Sequence, residues 1–358
     1  MTLRRLLPII LPVLLISALT FRADAIAPKP PSNNEAPTPK PKPKPKPKPK
    51  LKFTITGDFC ENLVCVKHKG KYGYIDKSCS IVIPCTYDLA LDFKEGLANI
   101  DLNGKYGFID KTGNIVIPCK YDYAWPFSEG LACVKINDKH GFIDKSGSIV
   151  IPCEYDNAYS FHEGLAIIEL NGRSGFIDKT GNIVIPCKYD YAWPFSEGMA
   201  HVELNGKHIF IDKSGNVVIS CKYDHAGSFH EGLTQVELKD KWGFIDKSGN
   251  LVIPCKYDDV WGFSEGLAKV KLNDKWGFID KSGKVVIPCK YNEGRGFSEG
   301  LASVRLNGKE GFIDKSGNIV IPCMYDHVWS FCEGLAKVFI DGKCGFIDKS
   351  GKVVIPIN

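Results

Sequence analysis

The tripeptide Ile-Asp-Lys occurs nine times at a constant spacing of 34 residues, from Ile75-Asp76-Lys77 to Ile347-Asp348-Lys349. A fixed period of this size belongs to a solenoid, propeller or array, where each unit is too small to bury a core alone and leans on its neighbours. Function then has to be argued from columns of equivalent residues. The unit reads Phe-x-Glu-Gly-Leu-Ala-x-Val-x-Leu-Asn-Gly-Lys-x-Gly-Phe-Ile-Asp-Lys-Ser-Gly-Asn-Ile-Val-Ile-Pro-Cys-Lys-Tyr-Asp, followed by a short connector, and the array fills residues 53–358.

Alternation and turn chemistry predict three strands per unit. In residues 97–102, Ala98, Ile100 and Leu102 fall on one face at period two. Asn103-Gly104 suits a type I′ hairpin, in which both central residues need positive φ. The second strand covers 107–110 and the third 115–118, joined by Asp110-Lys111-Thr112-Gly113, a type I turn closed by a left-handed glycine. Apolar neighbours on both faces (Phe108 with Ile109; Ile115, Val116 and Ile117) imply a sheet covered on both sides. The connector 119–130 lacks alternation and is predicted to be an ordered loop. The expected architecture is all-β: an open, solenoid-like tandem array of nine three-stranded antiparallel meanders. It is favoured over a closed propeller-like ring because nine exceeds the usual four to eight blades and no blade is split in sequence.

Residues 1–52 differ in kind. Arg4 and Arg5 precede an apolar stretch from Leu6 to Phe21, and Ala25-Ile26-Ala27 follows, the order of a secretory signal peptide over residues 1–27. An uncleaved anchor is the alternative; the apolar run is shorter than a spanning helix needs and contains Pro8 and Pro12. Residues 28–52 are rich in Pro and Lys, with strict alternation from Pro39 to Lys50, which favours an extended polyproline II linker. This segment is read as a spacer or as a cationic tether to anionic polymers. Residues 1–52 hold 11 of the 46 basic and 2 of the 41 acidic side chains, so the array itself is mildly acidic. A nucleic-acid partner would need a basic face, and none is expected. Contact with a membrane is expected only through the signal segment or the linker.

Eight of the 14 cysteines form a ladder at 34-residue steps from Cys85 to Cys323; the others are Cys60, Cys65, Cys79, Cys133, Cys332 and Cys344. Equivalent positions in stacked units should lie ~10–14 Å apart, beyond the ~7 Å a disulfide tolerates, so the ladder is predicted to be buried thiols. No His-Glu-x-x-His, Gly-x-Ser-x-Gly or phosphate-loop pattern occurs. A carboxylate repeated in nearly every unit, such as Asp76, Asp110 and Asp144, fits a turn better than a catalytic pocket. No enzymatic activity, cofactor or metal is expected.

One connector column reads Leu91, Trp125, Tyr159, Trp193, Gly227, Trp261, Arg295, Trp329, placing tryptophan in every second unit. These rings either pack between units or form a spaced row that stacks on glycan or grips a protein. Trp125, Trp193, Trp261 and Trp329 are therefore the candidate ligand contacts.

Lys241-Trp242-Gly243-Phe244-Ile245-Asp246 and Lys275-Trp276-Gly277-Phe278-Ile279-Asp280, with flanking Glu-Gly-Leu-Ala and Val-Ile-Pro elements, resemble the WG (KWG) repeats of bacterial proteins. The resemblance spans all nine units. The tryptophan is kept only at Trp242 and Trp276, and the glycine becomes Ile209 in one unit. The resemblance implies a β-rich repeat scaffold without a shared enzymatic activity or common ligand. The expected function is an exported scaffold (periplasmic, cell-surface or secreted) that binds a protein or glycan of the envelope, the alternative being a purely structural spacer.

Overall fold

The computed structural model describes residues 53–220 and 222–357. The signal segment and Pro-Lys linker lie outside the described residues. Among these residues the chain forms nine four-stranded antiparallel sheets, each a meander of consecutive strands. They are blades of a closed ring, a nine-bladed β-propeller, and this overturns the expected open array of three-stranded units.

The missing strand is in the connector. Tyr123–Ala124 pairs with Leu131–Ile136, and the same pairing recurs from blade to blade, so the segment read as a loop opens the next blade. A tight turn joins the two strands at Glu129-Gly130, where both residues have positive φ. Glutamate seldom adopts that conformation, and the next blade holds it there. The Glu129 carboxylate accepts the Gly164 N–H at 2.9 Å and pairs with Lys179 at 3.1 Å. The two turns recognised in the sequence form as expected: Asn103 and Gly104 both have positive φ, and the Gly113 N–H donates to the Asp110 carbonyl at 3.0 Å.

Ile-Asp-Lys can now be decoded. In blade 3, Ile143 is fully buried. Asp144 Oδ1 accepts the N–H groups of Ser146 and Ser148, closing the turn. Lys145 reaches back to the preceding blade, at 3.1 Å from the Glu95 carboxylate and 2.9 Å from its carbonyl. One tripeptide supplies core, turn and inter-blade latch.

The core lies between blades. Leu97, Phe108, Ile117 and Tyr121 of blade 2 cluster with Ala124, Phe127, Ala132, Val134 and Ile143 of blade 3. Leu131, Cys133, Phe142 and Ile151 of the same blade 3 cluster instead with blade 4. Closure repeats this arrangement: Ile55, Phe59, Val64, Val66 and Ile75 of blade 1 pack on Leu335, Cys344, Phe346 and Ile355 of blade 9. No strand is exchanged between the first and last blades, so the lack of a split blade in the sequence did not mean an open end.

The fourth strands correct a second expectation. Ile115 and Val116 are 50% and 40% exposed, while Ile117 is buried. This strand is a sheet edge rather than a covered layer, and Pro118, which lacks an N–H, sits on it, as edge strands tolerate. The seven ladder cysteines among the described residues are half-buried, where full burial was expected. The Cys153 Sγ lies 3.9 Å from the Val134 carbonyl.

Acid should unfold the ring in two stages. Burial, then the neighbouring His208, pushes His201 down to about 3. Because its folded value lies below its unfolded one, stability is lost as pH falls below about 6.5. Hydrogen bonds from Thr112 and Thr180 hold Asp110 and Asp178 at about 2, so their contribution disappears between roughly pH 4 and 2. Melting temperatures of the protein and of His201→Asn, which copies Asn99 of blade 2, should diverge in slope between about pH 6.5 and 3 and run parallel below about pH 3.

Candidate functional site

Trp125, Trp193, Trp261 and Trp329 stand at equivalent positions on the first strands of blades 3, 5, 7 and 9, or just beyond them. Their surroundings are not equivalent. Trp125 is half-buried against the core between blades 3 and 4, with ring contacts to Tyr123 at 4.4 Å and His140 at 5.3 Å. Trp193 is 39% exposed and stacks on His201 at 4.4 Å. Trp261 and Trp329 are 50% and 42% exposed. One of the four packs between units, and three present rings to solvent.

The structure brings Trp261 and Trp329 into one sector, with Arg295 of blade 8 between them in the same column. The Arg295 guanidinium lies 4.9 Å from the Trp329 ring centroid. It also lies 3.2 Å from His327 Nε2, and the other ring nitrogen, Nδ1, lies 3.0 Å from Glu310 Oε2. Glu310 occupies the tryptophan position of the WG element in blade 8. It is almost fully buried, and its charge is met by Arg305 at 2.6 Å and the Val328 N–H at 2.6 Å.

Lys269 forms the floor. It is 3% exposed, with Nζ 4.3 Å from the Trp261 centroid and 3.8 Å from that of Trp276. Nζ donates to the Gly294 carbonyl at 2.7 Å. Burial lowers this lysine to about 8, which leaves it charged at neutral pH. Polar members of its column link their second strands to the next blade: Asn99 Nδ2 donates to the Ala124 carbonyl at 2.8 Å, and Lys337 Nζ to the Gly57 carbonyl at 3.1 Å. Trp261, Lys269, Trp276, Arg295, Glu310 and His327 line a cleft of about 330 Å³, and a second, of about 380 Å³, runs past Trp261, Gly262, Arg295 and Ser330.

Sequence reasoning found the two exposed tryptophans of this sector but not the charges around them. A signal existed. Arg295 is the one charged residue in its column, and lysine replaces small or neutral side chains at 269 and 337. Among the described residues no group of His, Cys, Asp and Glu could hold a metal ion.

Fold and site together define a tandem-repeat β-propeller with an aromatic and cationic sector over blades 7 to 9. The chain belongs to the WG-containing repeat family, whose model matches nine segments from residues 72–106 to 345–358. No curated protein matches it in sequence. Among solved structures it resembles a eukaryotic initiation factor at 12% identity and a TM-score of 0.58, over 81% of this chain and 93% of that one. A dihydro-heme d1 dehydrogenase in complex with DHE matches at 14% identity and 0.44, over 85% and 75%. The extracellular domain of a putative one component system from B. thetaiotaomicron matches at 10% and 0.36, over 84% and 53%. The first likeness concerns the fold alone, and the other two carry no argument.

Proposed function

We propose that this propeller is an exported, non-catalytic scaffold that binds a glycan of the bacterial envelope through the exposed tryptophans. The observation that supports this most directly is the presentation of Trp193, Trp261 and Trp329 at one position of alternate blades, with Trp261 beside two clefts and Trp329 beside a third. Sugar rings stack on such faces, each contributing about 0.5–1.5 kcal/mol, and a repeated spacing on a rigid ring multiplies weak contacts on a polymer. Export rests on the signal-type order of residues 1–27. The repeated carboxylates already serve as turn caps and latches, which favours a scaffold over an enzyme.

The test is a pull-down with peptidoglycan and surface polysaccharide, using the protein and a Trp193→Ala/Trp261→Ala/Trp329→Ala variant. Binding should fall at least tenfold in the triple variant while its melting temperature stays within a few degrees. Trp125→Ala should do the reverse, losing stability and keeping binding. Unchanged binding by the triple variant, or its unfolding, would remove the aromatic row as the ligand surface. Retention of an envelope protein instead of glycan would transfer the same surface to a protein partner.

A further inference from the structure

The seam between blades 9 and 1 is the one the chain does not cross, and its contacts depart from the other eight. Each of the other seams pairs a third-strand ring with a phenylalanine of the following blade at 4.7–5.0 Å, as in Tyr74–Phe93, Phe108–Phe127 and Phe312–Phe331. The closing pair, Phe346–Phe59, is 6.3 Å apart. Eight seams carry a lysine–glutamate latch, from Lys111–Glu61 to Lys349–Glu299. At the ninth, Lys77 lies over the Phe59 ring, and Glu333 accepts the N–H groups of Glu61 at 2.6 Å and Asn62 at 3.1 Å.

The residue before each Glu-Gly turn reads Cys60, Lys94, Ser128, His162, Ser196, His230, Ser264, Ser298, Cys332. Cysteine occupies this column only on the two sides of the uncrossed seam. Elsewhere the column spans the gap between blades: Ser128 Oγ donates at 2.8 Å to the carbonyl of Phe161, the residue before His162. Ser264 and Ser298 do the same with Phe297 and Phe331. With standard bond lengths, that contact holds the two column Cα atoms within about 8 Å, one step from the ~7 Å a disulfide accepts. Cys332 and Phe59 line one cleft at the seam.

We propose that Cys60 and Cys332 form a disulfide that closes the ring covalently across this seam. The oxidant is a low-molecular-weight or protein disulfide. One thiolate attacks it and expels a thiolate leaving group. The second cysteine then displaces the other half from the mixed disulfide, so that one protein S–S bond forms and two reagent thiols are released. The protein loses two electrons and two protons, and the reagent gains them. Burial and nearby carboxylates raise both thiols, Cys60 to about 12, so the exchange accelerates as pH rises. Other seam cysteines are committed elsewhere: Cys344 is buried with its Sγ 3.7 Å from the Ile55 carbonyl, and Cys79 and Cys85 pack on the apolar cluster. Cys332 is exposed and Cys60 partly so.

This inference is independent of any ligand. The full chain is reduced, equilibrated in a glutathione disulfide buffer at pH 8, quenched with an alkylating agent and mapped by mass spectrometry beside Cys60→Ser and Cys332→Ser. A peptide pair joining Cys60 to Cys332 is expected, with a melting temperature roughly 5–10 °C above the reduced form, since the bond closes a very long loop. Each variant should abolish both effects; Cys332→Ser rebuilds the hydroxyl link of the other seams, so it should fold. Absence of the 60–332 pair, or an oxidative gain that survives in either variant, overturns the proposal.

Discussion

Replacing Gly107 with alanine should destabilise the ring by about 2–3 kcal/mol, the scale of forced overpacking in a rigid core, measured as a shift of the denaturant midpoint. A Cβ at this position would stand 2.5 Å from the Ile117 carbonyl oxygen and 2.7 Å from the Cys119 nitrogen, both backbone atoms that cannot swing aside. The third strand pairs Tyr106 with Tyr121 and Phe108 with Ile117, so residues 118–120 arch over the bare glycine between them. This is a physical reason for the glycine of the WG element. The chain also holds an internal control. In blade 5 the position is Ile209, which pairs directly with Ser220, and the fourth strand runs only Val217–Ser220 instead of seven residues. Gly107→Ile should therefore convert blade 2 to the blade 5 pattern, with amide exchange at 119–121 accelerating while 115–117 stays protected. Protection retained through residue 121 would show that the close approach is not what the glycine serves.

A single unit, residues 123–156, should not fold when made alone. Successive residues of its second strand serve different cores: Ala132 and Val134 face blade 2, Leu131 and Cys133 face blade 4. Without neighbours both faces meet water, and 34 residues lie below the ~40 at which unaided domains become feasible. Far-ultraviolet circular dichroism should be that of an unfolded chain, with no cooperative melting. A monomeric unit that melts cooperatively would place the core inside blades and refute the packing described above.

What could be recognised in the sequence was local. Asn103-Gly104 and Asp110 to Gly113 carry turn chemistry in their own residue types, and the structure forms both. Glu129-Gly130 turns equally sharply, yet glutamate is a poor left-handed residue; Gly164 and Lys179, more than 30 residues away, hold its carboxylate. Missing that turn hid the strand Tyr123–Ala124, and without a fourth strand the unit looked like a meander with no means of closing. The exposure of Ile115 and Val116 was hidden for a related reason, since a run of three β-branched residues does not say which side is covered. At the candidate site the tryptophan column was visible because its members recur at a fixed period. Arg295, Lys269 and His327 meet only in space, from three blades and different columns.

Because every blade is built from consecutive strands and every seam from side chains, the ring has no intrinsic first blade. A circularly permuted chain, with residues 53 and 357 joined and new ends opened between Tyr121 and Tyr123, would contain the same nine sheets and the same inter-blade contacts. Whole blades are thus interchangeable modules, and a duplicated pair can be inserted without re-registering a single strand. What distinguishes one seam from another is chemistry laid over that symmetry: two cysteines at one gap, a lone arginine between tryptophans at another.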